Sequence, residues 1–151
     1  MSEAAIHTTG IILGWVIVVG YLLAVMKYFV RIIYQKFIIG LPQDSLLREK
    51  YLVFMRLIVT THGYIGLYLL TIIVLHALIE LVHRGFFITG LIVAGLMILQ
   101  IFLGAYGTFV KSRKKGPWLD AHRTLAALLS GAIAIHIQAV ISLLRTPNKS
   151  I

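Results

Sequence analysis

The chain has 151 residues, of which 60% are hydrophobic and only 13% are charged, and its mean hydropathy is +0.96. A soluble domain of this length needs far less apolar surface, so the composition favours an integral membrane protein. The sequence contains no cysteine, which excludes disulfides, cysteine-ligated iron–sulfur clusters and c-type haem attachment.

The net charge of +9 is distributed unevenly along the chain. Eleven of the fourteen Lys and Arg residues lie around the first and third connections between apolar segments, and only Arg84, Arg145 and Lys149 lie on the other side. Connections rich in Lys and Arg stay in the cytoplasm. The pattern therefore predicts that both termini lie outside, and it explains the basic charge better than a nucleic-acid surface does.

Four uncharged segments are each long enough to cross a bilayer core of about 30 Å as an α-helix. They predict an all-α integral membrane protein with a single domain over residues 1–151. Short connections make successive helices antiparallel neighbours in an up-down bundle, so the second and fourth helices run parallel. The segments are Ala4–Met26, Leu57–Ile79, Gly85–Val110 and Thr124–Leu144.

The first connection is the only long one. We expect Ile32–Leu41 to lie along the cytoplasmic interface, because polar residues interrupt an apolar stretch there. Pro42 then breaks the chain, and Asp44 or Ser45 is expected to cap the next helix. Pro117 suits the first turn of the fourth helix.

Histidines at matched spacing are the most informative feature of the two parallel helices. His62 and His76 lie fourteen residues apart, and so do His122 and His136. Fourteen helical residues make almost four turns, so each pair lies on one helix face with a separation of roughly 21 Å. We therefore expect His62 to face His122 at an inner, cytoplasmic level and His76 to face His136 at an outer level.

Each level offers two imidazoles without a cysteine, and no carboxylate lies within the four segments. Zinc normally takes four ligands. Two axial nitrogens are what a haem lacks, because the porphyrin supplies the other four. The pattern predicts two b-type haems, one bound by His62 and His122 and the other by His76 and His136.

Glycines on the third helix lie at the depths of the predicted haems. Gly90 and Gly104 flank Met97 by seven residues on either side, just as the histidines flank Leu69 and Leu129. Small residues let a flat cofactor approach the backbone, although ordinary helix packing uses them as well.

The first helix has a weaker version of the same pattern. Gly10 and Ala24 are fourteen residues apart, with Ile17 as their midpoint. We expect Gly10 to provide clearance at the outer level.

Haem propionates need cationic or hydrogen-bonding partners near the membrane surfaces, although the same side chains also suit phospholipid headgroups. Candidates at the inner level are Arg56, Arg123, Lys111 and Arg113. Candidates at the outer level are Arg84, His83 and Arg145. His7 and His83 lie outside the fourteen-residue spacing, so we do not expect them to be ligands.

Other polar side chains are candidates for supporting roles. Thr60 or Thr61 near His62, and Gln138 near His136, are expected to orient the ligands by hydrogen bonding. Candidates for the border of a quinone pocket are Tyr64, Tyr68 and Tyr106, although aromatic residues also form interface belts.

The pattern resembles the cytochrome b of respiratory quinol–cytochrome c oxidoreductases. In that family an N-terminal four-helix bundle holds two haems through histidine pairs on its second and fourth helices, and glycines on the first and third helices make room for the rings. The resemblance covers the four histidines, Gly90, Gly104 and Gly10, and it is one of spacing rather than of sequence strings. The family's Pro-Glu-Trp-Tyr motif does not occur in this sequence, so the resemblance implies transmembrane electron transfer without quinol bifurcation.

We expect a di-haem b-type cytochrome of a prokaryotic inner membrane, acting as the quinone-linked membrane subunit of a redox complex. Its expected partners are the lipid bilayer, quinone, and either further redox subunits or a soluble electron donor or acceptor. The sequence leaves open whether this electron-transfer component is itself an enzyme.

Three alternatives stay open. The chain also resembles ferric-reductase-type membrane domains, which would make it a stand-alone quinone or metal-ion reductase, although those domains have more helices and a nucleotide-binding domain. A non-redox subunit that transports protons or metal ions through its histidines would be expected to carry carboxylates within the spans. A chlorin-binding antenna subunit would not need histidines paired at equal depth.

Overall fold

A computed structural model of the chain describes residues 2–85, 87–112 and 114–145, apart from the side chains of Arg84 and Leu144. The regular elements within these ranges are all helical, which confirms the all-α prediction. Each of the four predicted spans corresponds to a helix that is long and apolar enough to cross a membrane, although the third helix begins at Ile88 rather than at the predicted Gly85. The helices are α1 (Glu3–Ile33), α2 (Leu46–Arg84), α3 (Ile88–Ala105) and α4 (Pro117–Arg145).

Three helix ends follow from local residue types. α2 begins directly after Ser45, as predicted, although the Ser45 side chain makes no capping hydrogen bond. Its other end is capped by Gly85, whose φ of +78° is a left-handed conformation that glycine adopts without strain. α4 begins at Pro117, also as predicted, where the missing N–H costs no helical hydrogen bond.

α1 does not stop at the predicted membrane boundary. It continues through a π-helical turn at Tyr34–Ile38, giving a helix of 36 residues that is about 54 Å long. The chain is therefore helical over most of the segment Ile32–Leu41, which was expected to lie along the interface. The Tyr51 hydroxyl donates a 2.8 Å hydrogen bond to the Val30 carbonyl and ties this extension to α2.

α3 also ends in a π-helical turn, Tyr106–Val110, but the combined helix has only 23 residues and is about 35 Å long. That length matches a bilayer core of about 30 Å. The α1–α2 pair is therefore longer than the α3–α4 pair.

α1 packs along α2, and the order of their contacts shows that the two helices are antiparallel. Ala24 contacts His62, whereas Gly14, ten residues earlier, lies against His76. α3 and α4 are antiparallel for the same reason, and α2 contacts α3.

The core lies midway between the two histidine levels. The cluster includes Leu129 with 0% exposure, Met97 with 3%, Leu69 with 4% and Ile17 with 8%. These four residues are the midpoints given by the spacing of the histidines and small residues, one from each helix. The midpoint residues of all four helices therefore share one buried cluster, including Ile17 of α1, where the pattern was weakest.

Tyr21 connects α1 to α4 within this core. Its hydroxyl donates a 2.6 Å hydrogen bond to the Ala126 carbonyl and lies 2.8 Å from the Ser130 Oγ atom. The Tyr21 side chain is buried. A buried phenol needs such partners, and this one fixes α1 against α4 between the two histidine levels.

Candidate bis-histidine site

The four spaced histidines share an environment that the other two histidines lack. His62, His76, His122 and His136 are all half-buried, whereas His7 and His83 are exposed. Burial therefore distinguishes the predicted ligands from the predicted non-ligands in the same way as the spacing does.

His62 on α2 faces His122 on α4. Their ring centroids are 6.4 Å apart and the ring planes are 79° apart. Two imidazole nitrogens that each lie about 2 Å from one shared ion bring their ring centroids to roughly 6 Å. The separation of the two rings is therefore compatible with axial binding of one metal from both sides.

The His62 ring is held by the backbone of α1. Its Nδ1 atom lies 3.1 Å from the Ala24 carbonyl oxygen. Because a carbonyl oxygen only accepts, this bond requires the proton on Nδ1 and leaves the Nε2 lone pair free. Metal-binding histidines commonly donate their second ring N–H to a backbone carbonyl in this way.

The His122 ring contacts Gln100 on α3. The Gln100 Nε2 atom lies 3.3 Å from His122 Nε2, while the His122 Nδ1 and Gln100 Oε1 atoms are buried without a hydrogen-bond partner. Turning the amide would let Oε1 accept the His122 Nε2–H bond. In that arrangement Gln100 Oε1 accepts from His122, and the buried Nδ1 lone pair of His122 is left for a metal ion.

The His136 ring has a different polar neighbour on α3. Thr89 Oγ1 lies 3.0 Å from His136 Nδ1. A bond in which Nδ1–H donates to the hydroxyl fixes the ring and leaves Nε2 available. His76 and Glu80 on α2 are both close enough to act electrostatically on His136.

Thr89 and Gln100 are functional candidates that the sequence analysis did not identify. They are the only two residues of α3 with hydrogen-bonding side chains, and each contacts a histidine of α4. A polar side chain in a transmembrane helix normally faces a partner in the bundle. Their isolation in an otherwise apolar helix therefore indicates from the sequence that each faces a polar partner.

The polar residues expected to orient the ligands do not do so. The Thr60 hydroxyl donates to the Arg56 carbonyl and the Thr61 hydroxyl to the Leu57 carbonyl, both within α2. Gln138 is exposed. Those expectations are wrong, because a threonine in a helix readily bonds to the carbonyl four residues earlier.

The glycines of α3 meet the histidines of α4 at both levels. A Cβ atom added to Gly90 would lie 3.1 Å from His136 Cε1, and one added to Gly104 would lie 3.4 Å from His122 Cε1. Gly90 is therefore the tighter of the two contacts, since few real Cβ atoms approach that closely. Any larger residue there would displace the ring.

On α1 the glycine beside the outer histidine is Gly14. A Cβ atom at Gly14 would lie 3.4 Å from His76 Cε1, whereas one at Gly10 would meet the carboxylate of Glu80. Helical side chains lean towards the N-terminus of their own helix. The His76 ring therefore meets α1 nearer its centre than the Cα positions imply.

An aromatic ring lies against each histidine of α4. The Trp118 ring centroid is 6.5 Å from that of His122, and the Phe87 centroid is 5.7 Å from that of His136. Trp118 also covers the backbone of Gly107 and donates from Nε1 to the Lys114 carbonyl. Each ring lies between its histidine and the nearer ends of the helices, where it helps to exclude water from the histidine level.

The predicted cationic partners lie mostly at the surface. Arg56 and Arg123 are exposed, and Arg123 Nη1 lies 3.9 Å from Asp120 Oδ1. Lys111 lies over the Tyr106 ring at 5.6 Å, and Arg145 is exposed. Arg113 and the Arg84 side chain lie outside the described part of the structure.

Glu80 is a carboxylate that the predicted spans excluded by one residue. The structure carries α2 through Arg84, so Glu80 lies inside the helix one turn beyond His76 and contacts Gly10. It is half-buried. The expectation that the spans contain no carboxylate is therefore wrong at the outer end of α2.

All three tyrosines predicted to border a quinone pocket are exposed, Tyr106 the least at 39%. Tyr64 is 77% exposed and Tyr68 is 67% exposed. Such positions on a helix long enough to cross a membrane suit lipid contact better than a pocket.

Comparison of the chain with protein-family models, curated proteins and solved structures finds no match. The residues of the site fit two axially bound metal centres: a pair of rings at one level, glycines beside the rings, and neighbours that fix three of the four imidazoles. No three His, Asp or Glu side chains of the described residues group closely enough to bind an ion by themselves.

Proposed function

We propose that the chain is a di-haem b-type cytochrome that carries electrons across a membrane. His62 and His122 bind one haem, and His76 and His136 bind the other. The observation that carries this proposal is the pairing of half-buried histidines across α2 and α4, with rings 6.4 Å apart in the His62–His122 pair. His62 donates from Nδ1 to the Ala24 carbonyl, and His136 with its proton on Nδ1 donates to Thr89 Oγ1, so that Nε2 of each ring is available.

The proposed architecture is an up-down four-helix bundle with both termini outside, in a prokaryotic inner membrane. The antiparallel contacts of α1 with α2 and of α3 with α4 support it. The cluster of Lys and Arg around the first and third connections supports the orientation. The His62 level is then the inner one and the His76 level the outer one.

Haem supplies one-electron oxidation and reduction when it is bound. The protein's own residues bind it, orient the ligands and exclude water. Ala24 and Thr89 keep two imidazoles in one orientation, while the apolar core around Leu129 separates the levels. Hydrogen bonding to the ligands and burial of the site are the means by which a protein sets a haem's reduction potential.

A chain with four such helices and two histidine pairs is well suited to act as the quinone-linked membrane subunit of a larger redox complex. The resemblance in spacing to respiratory cytochrome b supports this setting, and the basic cytoplasmic connections would meet an acidic partner. A stand-alone quinone or metal-ion reductase would use the same histidines.

A second candidate is a non-redox subunit that moves protons or metal ions. It is favoured by Glu80, since a half-buried carboxylate near His136 is the feature that this function requires. Transport does not explain the His62–His122 pair, which lies roughly 21 Å from the His76–His136 pair. The carboxylate nearest to it in sequence, Asp120, is exposed.

Proteoliposomes test the proposed function. The full chain is loaded with haem and reconstituted into vesicles that contain trapped ferricyanide, and dithionite is then added outside. We expect the trapped ferricyanide to be reduced in vesicles with protein and to persist in vesicles without it. His76→Ala and His122→Ala, one at each level, should each abolish the reaction, whereas the exposed His83→Ala should not.

Two results would contradict the proposal. Persistence of trapped ferricyanide with the folded wild-type protein would exclude transmembrane electron transfer. Reduction that is unchanged in both His76→Ala and His122→Ala would show that the four histidines do not carry it. Pulses of protons or zinc across the same vesicles then test the second candidate, which also requires loss of flux in Glu80→Gln.

A further inference from the structure

Lys27 lies on the face of α1 that meets the His62–His122 pair. The Ala24 carbonyl, 3.1 Å from His62 Nδ1, fixes the register of α1 at this level. Residues three and four apart share a helix face, so Lys27 follows Ala24 about 4.5 Å further along the axis. Arg31 continues the same face one turn beyond Lys27.

Burial distinguishes Lys27 from the other cations near this level. Lys27 is half-buried, whereas Arg56 and Arg123 are exposed. Lys27 is close enough to act electrostatically on both His62 and His122. An ionisable side chain at such a depth is expensive to keep and points to a functional role.

The position of Lys27 indicates the kind of group that it binds. It lies between the ring level and the π-helical turn that carries Lys36, on the side of His62 that faces away from the core around Leu129. Asp120, near His122 in sequence, is exposed and lies 3.9 Å from Arg123 instead. A cation beside two ligand rings is well placed for the carboxylates of the cofactor that the rings hold.

We propose that Lys27 binds the propionate carboxylates of the haem held by His62 and His122. This inference rests on the proposed function, and it replaces the exposed Arg56 and Arg123 as the principal propionate partners at this level. Lys27 is a binding residue for the cofactor's acidic edge and makes no bond to its metal.

Haem titration of the apoprotein tests the assignment. His76→Ala removes the outer site, so that only the His62–His122 site is measured, by fluorescence quenching and by the haem absorption spectrum. The test variant is Lys27→Gln and the conservative one is Lys27→Arg. The matched control is Lys36→Gln, which makes the same change on an exposed lysine about 13.5 Å further along the helix.

Each variant is titrated with haemin and with haemin dimethyl ester, whose propionates are esterified. Lys27→Gln should weaken haemin binding about tenfold or more, as expected for a lost charge-assisted hydrogen bond. Lys27→Arg should restore most of the affinity and Lys36→Gln should keep it. With the dimethyl ester, Lys27→Gln and the parent protein should bind equally.

Two outcomes would overturn the inference: equal haemin binding by Lys27→Gln and Lys36→Gln, or a loss in Lys27→Gln that is the same for haemin and its ester. The second would show that Lys27 only supports the fold. Failure of the proposed function gives different results, because the wild-type protein would then bind no haem at either level or would leave trapped ferricyanide unreduced.

Discussion

Thr89→Val is the sharpest test of how the structure holds a ligand at the outer level. The substitution keeps the side-chain shape and removes the hydroxyl that lies 3.0 Å from His136 Nδ1. A neutral hydrogen bond contributes about 0.5–1.5 kcal/mol, and loss of a partner that orients a metal ligand typically costs about 10–100-fold in affinity. We expect the outer-level haem to bind about tenfold more weakly, a change of about 1.4 kcal/mol.

The assay is haem titration in a His62→Ala background, which leaves only the outer site. Thr60→Val is the matched control, because the Thr60 hydroxyl donates to the Arg56 carbonyl of its own helix. Thr89→Ser should retain the wild-type affinity. The reasoning is refuted if Thr89→Val binds haem within twofold of the Thr60→Val protein.

Three further predictions concern clearance, helix contact and charge. Gly90→Val should lose the outer-level haem, since an added Cβ atom meets His136 Cε1 at 3.1 Å, whereas Gly95→Val on the same helix should keep both haems because its Cβ atom meets nothing within 4 Å. Tyr21→Phe should lower the free energy of unfolding in detergent by about 0.6 kcal/mol, and by no more than about 1.7, with haem content unchanged. Glu80→Gln should raise the midpoint potential of the outer-level haem by an amount on the order of tens of millivolts and leave the other unchanged, because a nearby negative charge disfavours reduction. Haem content, chemical denaturation and redox titration check these in turn, and equal effects of Gly90→Val and Gly95→Val would refute the first.

The spacing of residues in the sequence predicted the features that depend on helical periodicity. The four spans, the inward orientation of the four spaced histidines and the shared core of Leu129, Met97, Leu69 and Ile17 all follow from apolar length and a fourteen-residue repeat. These features needed no knowledge of how one helix is rotated against the next.

The particular residues that meet across two helices were not predictable. Thr60 is close in sequence to His62, and Thr89 is close to Gly90. Thr60 nevertheless bonds within its own helix, whereas the rotation of α3 against α4 brings Thr89 to His136. The lean of the His76 side chain towards the N-terminus of α2 brings Gly14, rather than Gly10, beside the ring. The continuation of α1 through Ile38 depends on packing against α2, which apolar length does not report.

The central claim is that two haems are bound by two histidine pairs. The most direct measurement is a pyridine haemochrome assay on the purified full chain after haem supplementation, together with oxidised and dithionite-reduced spectra. Two b haems per chain with a low-spin spectrum are predicted, and His62→Ala and His122→Ala should remove the same one. A folded chain that stays colourless, or one whose haem content is unchanged by those substitutions, would contradict the account.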